Sequence, residues 1–165
     1  MIISFRQPGV HAAIAVGLIT LALAPGALAQ HQHGHEHGAA TAAVSNMQLD
    51  NGQKWPTDEP LRAGMAAIHA AFKADHPAIH AGTETDAQYE ALAGTIEAQV
   101  NAIIASCKLP AEADANLHFA VADLLAGVSL MRGQDPARTR HDGAALVHGA
   151  LQAYGKHFDD PQWGR

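Results

Sequence analysis

The chain has 165 residues, of which 16 are acidic, 10 are basic, 12 are histidine and one is cysteine. This length predicts a single domain. A formal net charge of −6 without a basic stripe excludes nucleic acid as an expected partner, and a lone cysteine excludes an intramolecular disulfide.

Residues 1–29 have the pattern of a secretory signal peptide. Arg6 precedes an apolar run, and the run ends in the small-x-small sequence Ala27-Leu28-Ala29. A transmembrane anchor is the alternative, but the run breaks at Pro25-Gly26 before it reaches the roughly 20 apolar residues of a span. We therefore expect cleavage after Ala29, a periplasmic location and no membrane attachment once the signal is removed.

Residues 30–52 are predicted to be a disordered leader, because they are rich in histidine, glycine and alanine and contain little to bury. Four histidines alternate along this leader: His31, His33, His35 and His37. Imidazole is a preferred ligand of zinc, copper and nickel, and alternate residues of an extended chain can bring two or three rings to one ion. The leader is therefore predicted to bind copper or zinc. The alternative is a solvated polar segment with no physiological metal role.

Residues 53–165 are predicted to form an all-α, antiparallel up-and-down four-helix bundle. Apolar residues recur at intervals of three and four in four successive segments, and no alternating β-branched run indicates a strand. Short loops between the segments favour antiparallel neighbours. The four stripes are Leu61, Met65, Ile68 and Phe72; Tyr89, Leu92, Ile96, Val100, Ile103 and Cys107; Leu117, Val121, Leu124, Val128 and Met131; and Ala137, Ala144, Val147, Leu151, Tyr154 and Phe158.

Local signals mark the helix ends. Thr57 or Asp58 is predicted to cap the first helix, and His76-Pro77 is predicted to end or kink it. The sequence Thr85-x-x-Gln88 predicts a capping box for the second helix. Asp135-Pro136 is predicted to cap the fourth helix.

Cys107, His118 and Met65 form a second predicted metal site. Sulfur and imidazole ligands together suit copper, and Asp114, four residues before His118, would orient its ring. The alternative is a half-buried histidine held by an aspartate, beside a cysteine that acts as a small apolar side chain.

Six further histidines lie on the first and fourth helices, with His157 near the end of the fourth. His69, His76 and His80 would share one face of an unbroken first helix. Because Pro77 is expected to interrupt that helix, the favoured interpretation is surface histidines near a helix end. His141 and His148 flank the apolar stripe of the fourth helix.

The chain carries no glycine-rich nucleophile elbow, phosphate loop or H-E-x-x-H motif, so we expect no enzyme activity. The expected function is binding or buffering of copper or zinc in the periplasm, with the metal ion as the only named partner. One alternative is a non-catalytic interaction or stress protein without a ligand. Another is a noncovalent haem-binding electron carrier, with Met65 and a histidine of the fourth helix as ligands.

Two blocks, QKWPTDEPLRAGM at residues 53–65 and CKLPAEADANLH at residues 107–118, resemble a family of small exported bacterial proteins described as DnrO-like. The resemblance covers much of residues 53–132. It implies a periplasmic protein with a histidine-rich leader and implies no particular reaction. Met65, Cys107 and His118 fall inside the two blocks. In overall shape the chain is similar to cytochrome b562-type four-helix bundles.

Overall fold

The computed structural model describes residues 42–164, and these residues are mainly helical. A short 3-10 helix spans Ala43–Asn46, and the α-helices α1 to α4 span Glu59–Ala81, Asp86–Ser106, Ala111–Met131 and Arg140–His157. Within residues 42–164 the only β-type pairings are two isolated bridges. The predicted all-α class with four helices is confirmed. No helix in this range is long and apolar enough to cross a bilayer.

The four predicted apolar stripes form the core. All of their members are buried except two. Cys107, which directly follows α2, is half-buried, and Ala137, which precedes α4, is exposed. Helical spacing therefore identifies the buried face of each helix, because side chains three and four residues apart lie on one side.

The first helix continues through Pro77 to Ala81, so of the two outcomes predicted for His76-Pro77, an end or a kink, the end is wrong. Ile79 is 5% exposed, and its burial ties the last turn to the core. Gly82 then stops the helix in the left-handed region at φ 66°, where its N–H donates to the carbonyls of Ala78 and Ile79. As a result His80 lies on the same helix as His76.

The fourth helix is capped by Thr139, and the prediction of Asp135-Pro136 as the cap is wrong. The Thr139 hydroxyl oxygen accepts from the Asp142 N–H at 3.1 Å, and the Asp142 carboxylate accepts from the Thr139 N–H at 2.8 Å. The Asp142 carboxylate also accepts from the Thr139 hydroxyl at 2.8 Å, and the two bonds that it accepts from Thr139 hold the pKa of Asp142 below its usual value. Asp135 instead accepts from the N–H of Ala137 and closes a turn before the helix.

Residues 42–52, which the sequence places in the disordered leader, lie against the bundle. Asp123 on α3 is 5% exposed, and its two carboxylate oxygens accept from the N–H groups of Ala43 and Val44 at 2.8 and 2.9 Å. Met47 is buried in the core. The predicted start of the ordered domain at residue 53 is therefore too late, because the partner that orders this segment lies 80 residues away in sequence.

Glycines allow close approach of α3 and α4. A Cβ atom at Gly127 would lie 2.8 Å from the carbonyl oxygen of Gly143, and a Cβ atom at Gly143 would lie 2.6 Å from that of Gly127. The two backbones therefore touch at this crossing. Side chains larger than hydrogen do not fit there without a shift of the helices.

Contacts between helix ends agree with the predicted up-and-down order, which stays a prediction. Asp58, at the start of α1, accepts from the N–H groups of Leu61 in its own helix and of Lys108 just after α2. Arg132, after the end of α3, forms ion pairs with Glu90 and Glu97 of α2. The resulting hydrogen bonds from Arg132 lower the pKa of Glu97.

The two ends of the described domain are joined by backbone hydrogen bonds. The N–H of Trp55 donates to the carbonyl of His157, and the N–H of Asp159 donates to the carbonyl of Trp55, both at 2.8 Å. The hydroxyl of Thr57 adds a bond to the carbonyl of Asp159. These bonds fix the segment before α1 against the end of α4.

Candidate functional site

The four histidines of the predicted leader site, His31, His33, His35 and His37, lie outside the described residues. Among residues 42–164, the side chains as placed form no group of three histidine, cysteine, aspartate or glutamate residues able to hold a metal ion.

Cys107 and His118 line a common cavity of about 220 Å³ together with Asp114. Nδ1 of His118 lies 2.8 Å from the backbone carbonyl of Asp114 and 3.6 Å from its carboxylate. The nearer partner of this ring nitrogen is thus the backbone carbonyl. It can accept a hydrogen bond from an N–H at Nδ1, which leaves Nε2 free as an acceptor. The His118 side chain is 70% exposed.

Cys107 is half-buried, and this burial is the main reason why its thiol pKa is raised. The nearby carboxylates of Asp58 and Asp114 raise that pKa further. A thiol of this kind is mostly protonated at neutral pH, whereas a metal ligand must be a thiolate. A cation at this cavity would have to displace the proton.

Met65 is fully buried in the core and does not line the cavity that Cys107 and His118 share. A thioether with no exposed surface presents no sulfur to an ion or a haem iron unless the core repacks around it. The structure thus brings together two of the three residues of the predicted copper site and keeps Met65 in the packing of α1.

A larger histidine cluster lies between α1 and α4. We define the histidine cluster by its five members: His69, His76 and His80 on α1, and His141 and His148 on α4. They line two adjoining cavities, of about 520 and 210 Å³, which share Phe72, His76 and His148. Both cavities also have apolar walls, so the imidazoles are the main polar groups that face them.

Three members of the histidine cluster have closely spaced rings. The ring centroids of His76 and His80 are 6.0 Å apart, and those of His76 and His148 are 5.8 Å apart. Phe72 is buried beside them, with its centroid 5.5 Å from His148 and 5.9 Å from His76. An aromatic side chain with so little freedom limits the positions that the two half-buried imidazoles can take.

The outer members have other neighbours. His69 stacks on Trp163 with 4.8 Å between ring centroids, which places it at the end of the larger cavity. Lys73 also lines that cavity and is the one lysine or arginine to do so. Nε2 of His148 lies 2.8 Å from the side-chain amide nitrogen of Gln152, which donates to it in this placement.

Sequence reasoning found the spacing of His69, His76 and His80 and discounted it, because Pro77 was expected to end the helix. The available signal was Ile79, which continues the apolar stripe of α1 beyond the proline. The proximity of His148 to His76 depends on the packing of α4 against α1, and a spacing rule within one helix contains no information about it.

No family model, curated protein or solved structure matches the chain. The resemblance to DnrO-like proteins and to cytochrome b562-type bundles therefore stays a prediction.

Proposed function

We propose that this protein binds copper or zinc through the histidine-rich segment that contains His31, His33, His35 and His37, and that it buffers the metal in the periplasm. The observation that carries this proposal is the alternation of four histidines directly after the small-x-small sequence at residues 27–29. Neutral imidazole suits both metals. A carboxylate at Glu36 and, after cleavage, a free amino terminus would add further ligands.

The chemistry of such a segment favours buffering over tight, selective binding. A segment whose composition predicts disorder loses conformational entropy when several side chains converge on one ion, which lowers its affinity. It also imposes no fixed geometry, so selection between copper and zinc follows the intrinsic preference of imidazole for each ion. An exchangeable store of metal needs moderate affinity and rapid release.

The test is a calorimetric titration of the mature protein with copper(II) and with zinc. We expect replacement of His31, His33, His35 and His37 by alanine to remove most of the bound equivalents. Replacement of Gln32, Gly34 and Gly38 by alanine is the matched control, since none of these side chains is a predicted ligand, and it should leave most of the binding intact. If the variant that lacks these four histidines bound as much metal as the unmodified protein, the proposal would be overturned.

Localisation is tested separately on the unmodified full chain expressed in a bacterial host. Mass spectrometry of the periplasmic fraction should show an N-terminus at Gln30, which follows the predicted cleavage position. A protein that is retained in the cytoplasm with an intact Met1 would contradict a periplasmic role, whatever its affinity for metal.

A further inference from the structure

We propose that His76, His80 and His148 form a second metal site, on the bundle itself, that takes one zinc or copper(II) ion. This inference extends metal binding to the helical domain and does not depend on the segment that contains His31 to His37. It is carried by the continuity of α1 through Pro77, by the ring spacings in the histidine cluster and by the cavity that these three side chains share.

The first element of the site is a histidine pair on one helix. Because α1 is unbroken to Ala81, His76 and His80 are separated by one helical turn on the same face. Two histidines at this spacing are the arrangement by which a helix presents two imidazole nitrogens to one zinc ion. His80 is exposed and His76 is half-buried, so an ion can reach the pair from solvent.

The second element is a third imidazole from the facing helix. His148 lies 5.8 Å from His76 between ring centroids, and all three histidines line the cavity of about 210 Å³. A tetrahedral ion with metal–nitrogen distances of about 2.1 Å holds two imidazole centroids roughly 5 Å apart. The observed spacings of 5.8 and 6.0 Å exceed that value by about an ångström or less. Rotation of the exposed His80 would close its gap to His76, whereas the gap between His76 and His148 requires a small adjustment of two half-buried rings beside Phe72.

The surroundings favour a borderline transition metal. No aspartate, glutamate, lysine or arginine lines the smaller cavity, so its donors are neutral imidazoles, which suit zinc, copper and nickel better than magnesium or calcium. Phe72, Ile79 and Ala144 form the apolar wall. His141 lines the same cavity, and it or a water molecule completes a fourth position.

One existing contact must break when the ion binds. The Gln152 amide donates to Nε2 of His148 in the described state, and the metal would take that lone pair. Gln152 is exposed, so its amide finds water as a replacement partner at small cost. The site is therefore occluded by one weak, replaceable hydrogen bond.

The experiment uses the full chain with His31, His33, His35 and His37 replaced by alanine, titrated with zinc. We expect one equivalent of zinc to bind. His76→Ala, His80→Ala and His148→Ala should each weaken this binding by about tenfold or more. His118→Ala is the matched control, since His118 is an exposed helical histidine that lines a different cavity, and it should leave the affinity unchanged.

A second measurement does not depend on substitution. In ¹H–¹³C spectra of the histidine rings, zinc should shift the signals of His76, His80 and His148 and leave those of His118 and His157 in place. Absence of saturable binding in the four-alanine protein, or equal affinities for His80→Ala and His118→Ala, would overturn the inference. Either result leaves metal binding by the N-terminal segment standing, because that binding is overturned only if the four-alanine substitution removes none of it.

Discussion

Glu84 illustrates how a single side chain can set a pH dependence in this protein. It lies between α1 and α2 and is half-buried, and neither of its carboxylate oxygens has a hydrogen-bond partner among the described residues. Burial raises the pKa of this carboxyl group, and the nearby charge of Asp75 raises it further. The folded state therefore favours the protonated form, whereas the unfolded chain ionises at the ordinary value.

We predict that Glu84→Gln raises the melting temperature at pH 7, because it removes a buried charge without a partner. The advantage of the variant should shrink as the pH falls through the raised folded pKa and should be smallest below the unfolded value, where the wild-type carboxyl is neutral in both states. Thermal unfolding at pH 7 and pH 4 measures this. The exposed Glu59→Gln is the control, and a pH-independent difference at Glu84 would contradict the prediction.

At the scale of the helix, Pro77 is the most informative residue. It lies inside α1, where a proline lacks the N–H that would bond to the carbonyl four residues earlier. The helix continues because Ile79 is buried and Gly82 satisfies the last carbonyls. The histidine pair on this helix therefore depends on tertiary packing that compensates for an unfavourable local residue.

We predict that Pro77→Ala increases the free energy of unfolding, by up to about 3 kcal/mol, because it restores a backbone hydrogen bond in an existing helix. Urea denaturation followed by circular dichroism measures the change. Zinc binding in the four-alanine background should be retained in this variant, since His76 and His80 keep their spacing. A destabilised variant would show that the proline geometry is required for the packing of Ile79.

Sequence reasoning predicts the helices well and their ends less well, for physical reasons that differ between sites. The buried stripes follow from helical spacing alone, as does the capping box at Thr85 and Gln88. Asp135 and Thr139 are both good capping residues, and only the observed reciprocal bonds between Thr139 and Asp142 show which of them caps α4. Segment 42–52 was missed because Asp123 orders it from a distant helix.

The candidate site was likewise predictable from the sequence only in part. The histidine pair on α1 is readable from its spacing, whereas the approach of His148 depends on how two helices pack. The Cys107 and His118 pair, which sequence reasoning also suggested, does share a cavity. Met65 was grouped with them because its residue type suits copper, although its position on the apolar stripe of α1 already indicated the core.

In the molecule as a whole, the crossing of α3 and α4 is a place where glycine lets two helix backbones touch. We predict that Gly127→Ala and Gly143→Ala each lower the free energy of unfolding by about 1–3 kcal/mol, because the added methyl group would overlap the facing backbone. Urea denaturation measures both variants.

Gly149→Ala is the matched control for this crossing. Gly149 lies in the same helix as Gly143, and a Cβ atom there would meet nothing within 4 Å. Alanine at this position should raise the stability by about 0.5–1 kcal/mol, through the lower backbone entropy of the unfolded chain. If all three variants behaved alike, the close contact would not be the cause.

The backbone bonds that join Trp55 to His157 and Asp159 have a consequence for how the domain assembles. Thr57 and its partner Asp159 are 102 positions apart. The segment before α1 is therefore synthesised long before the residues whose backbone groups bond to it. Local helices can form early, but sealing of this junction has to wait for the final turn of α4. Until then the segment that contains Trp55 lacks these hydrogen-bond partners. A chain truncated before His157 could not form these bonds at all.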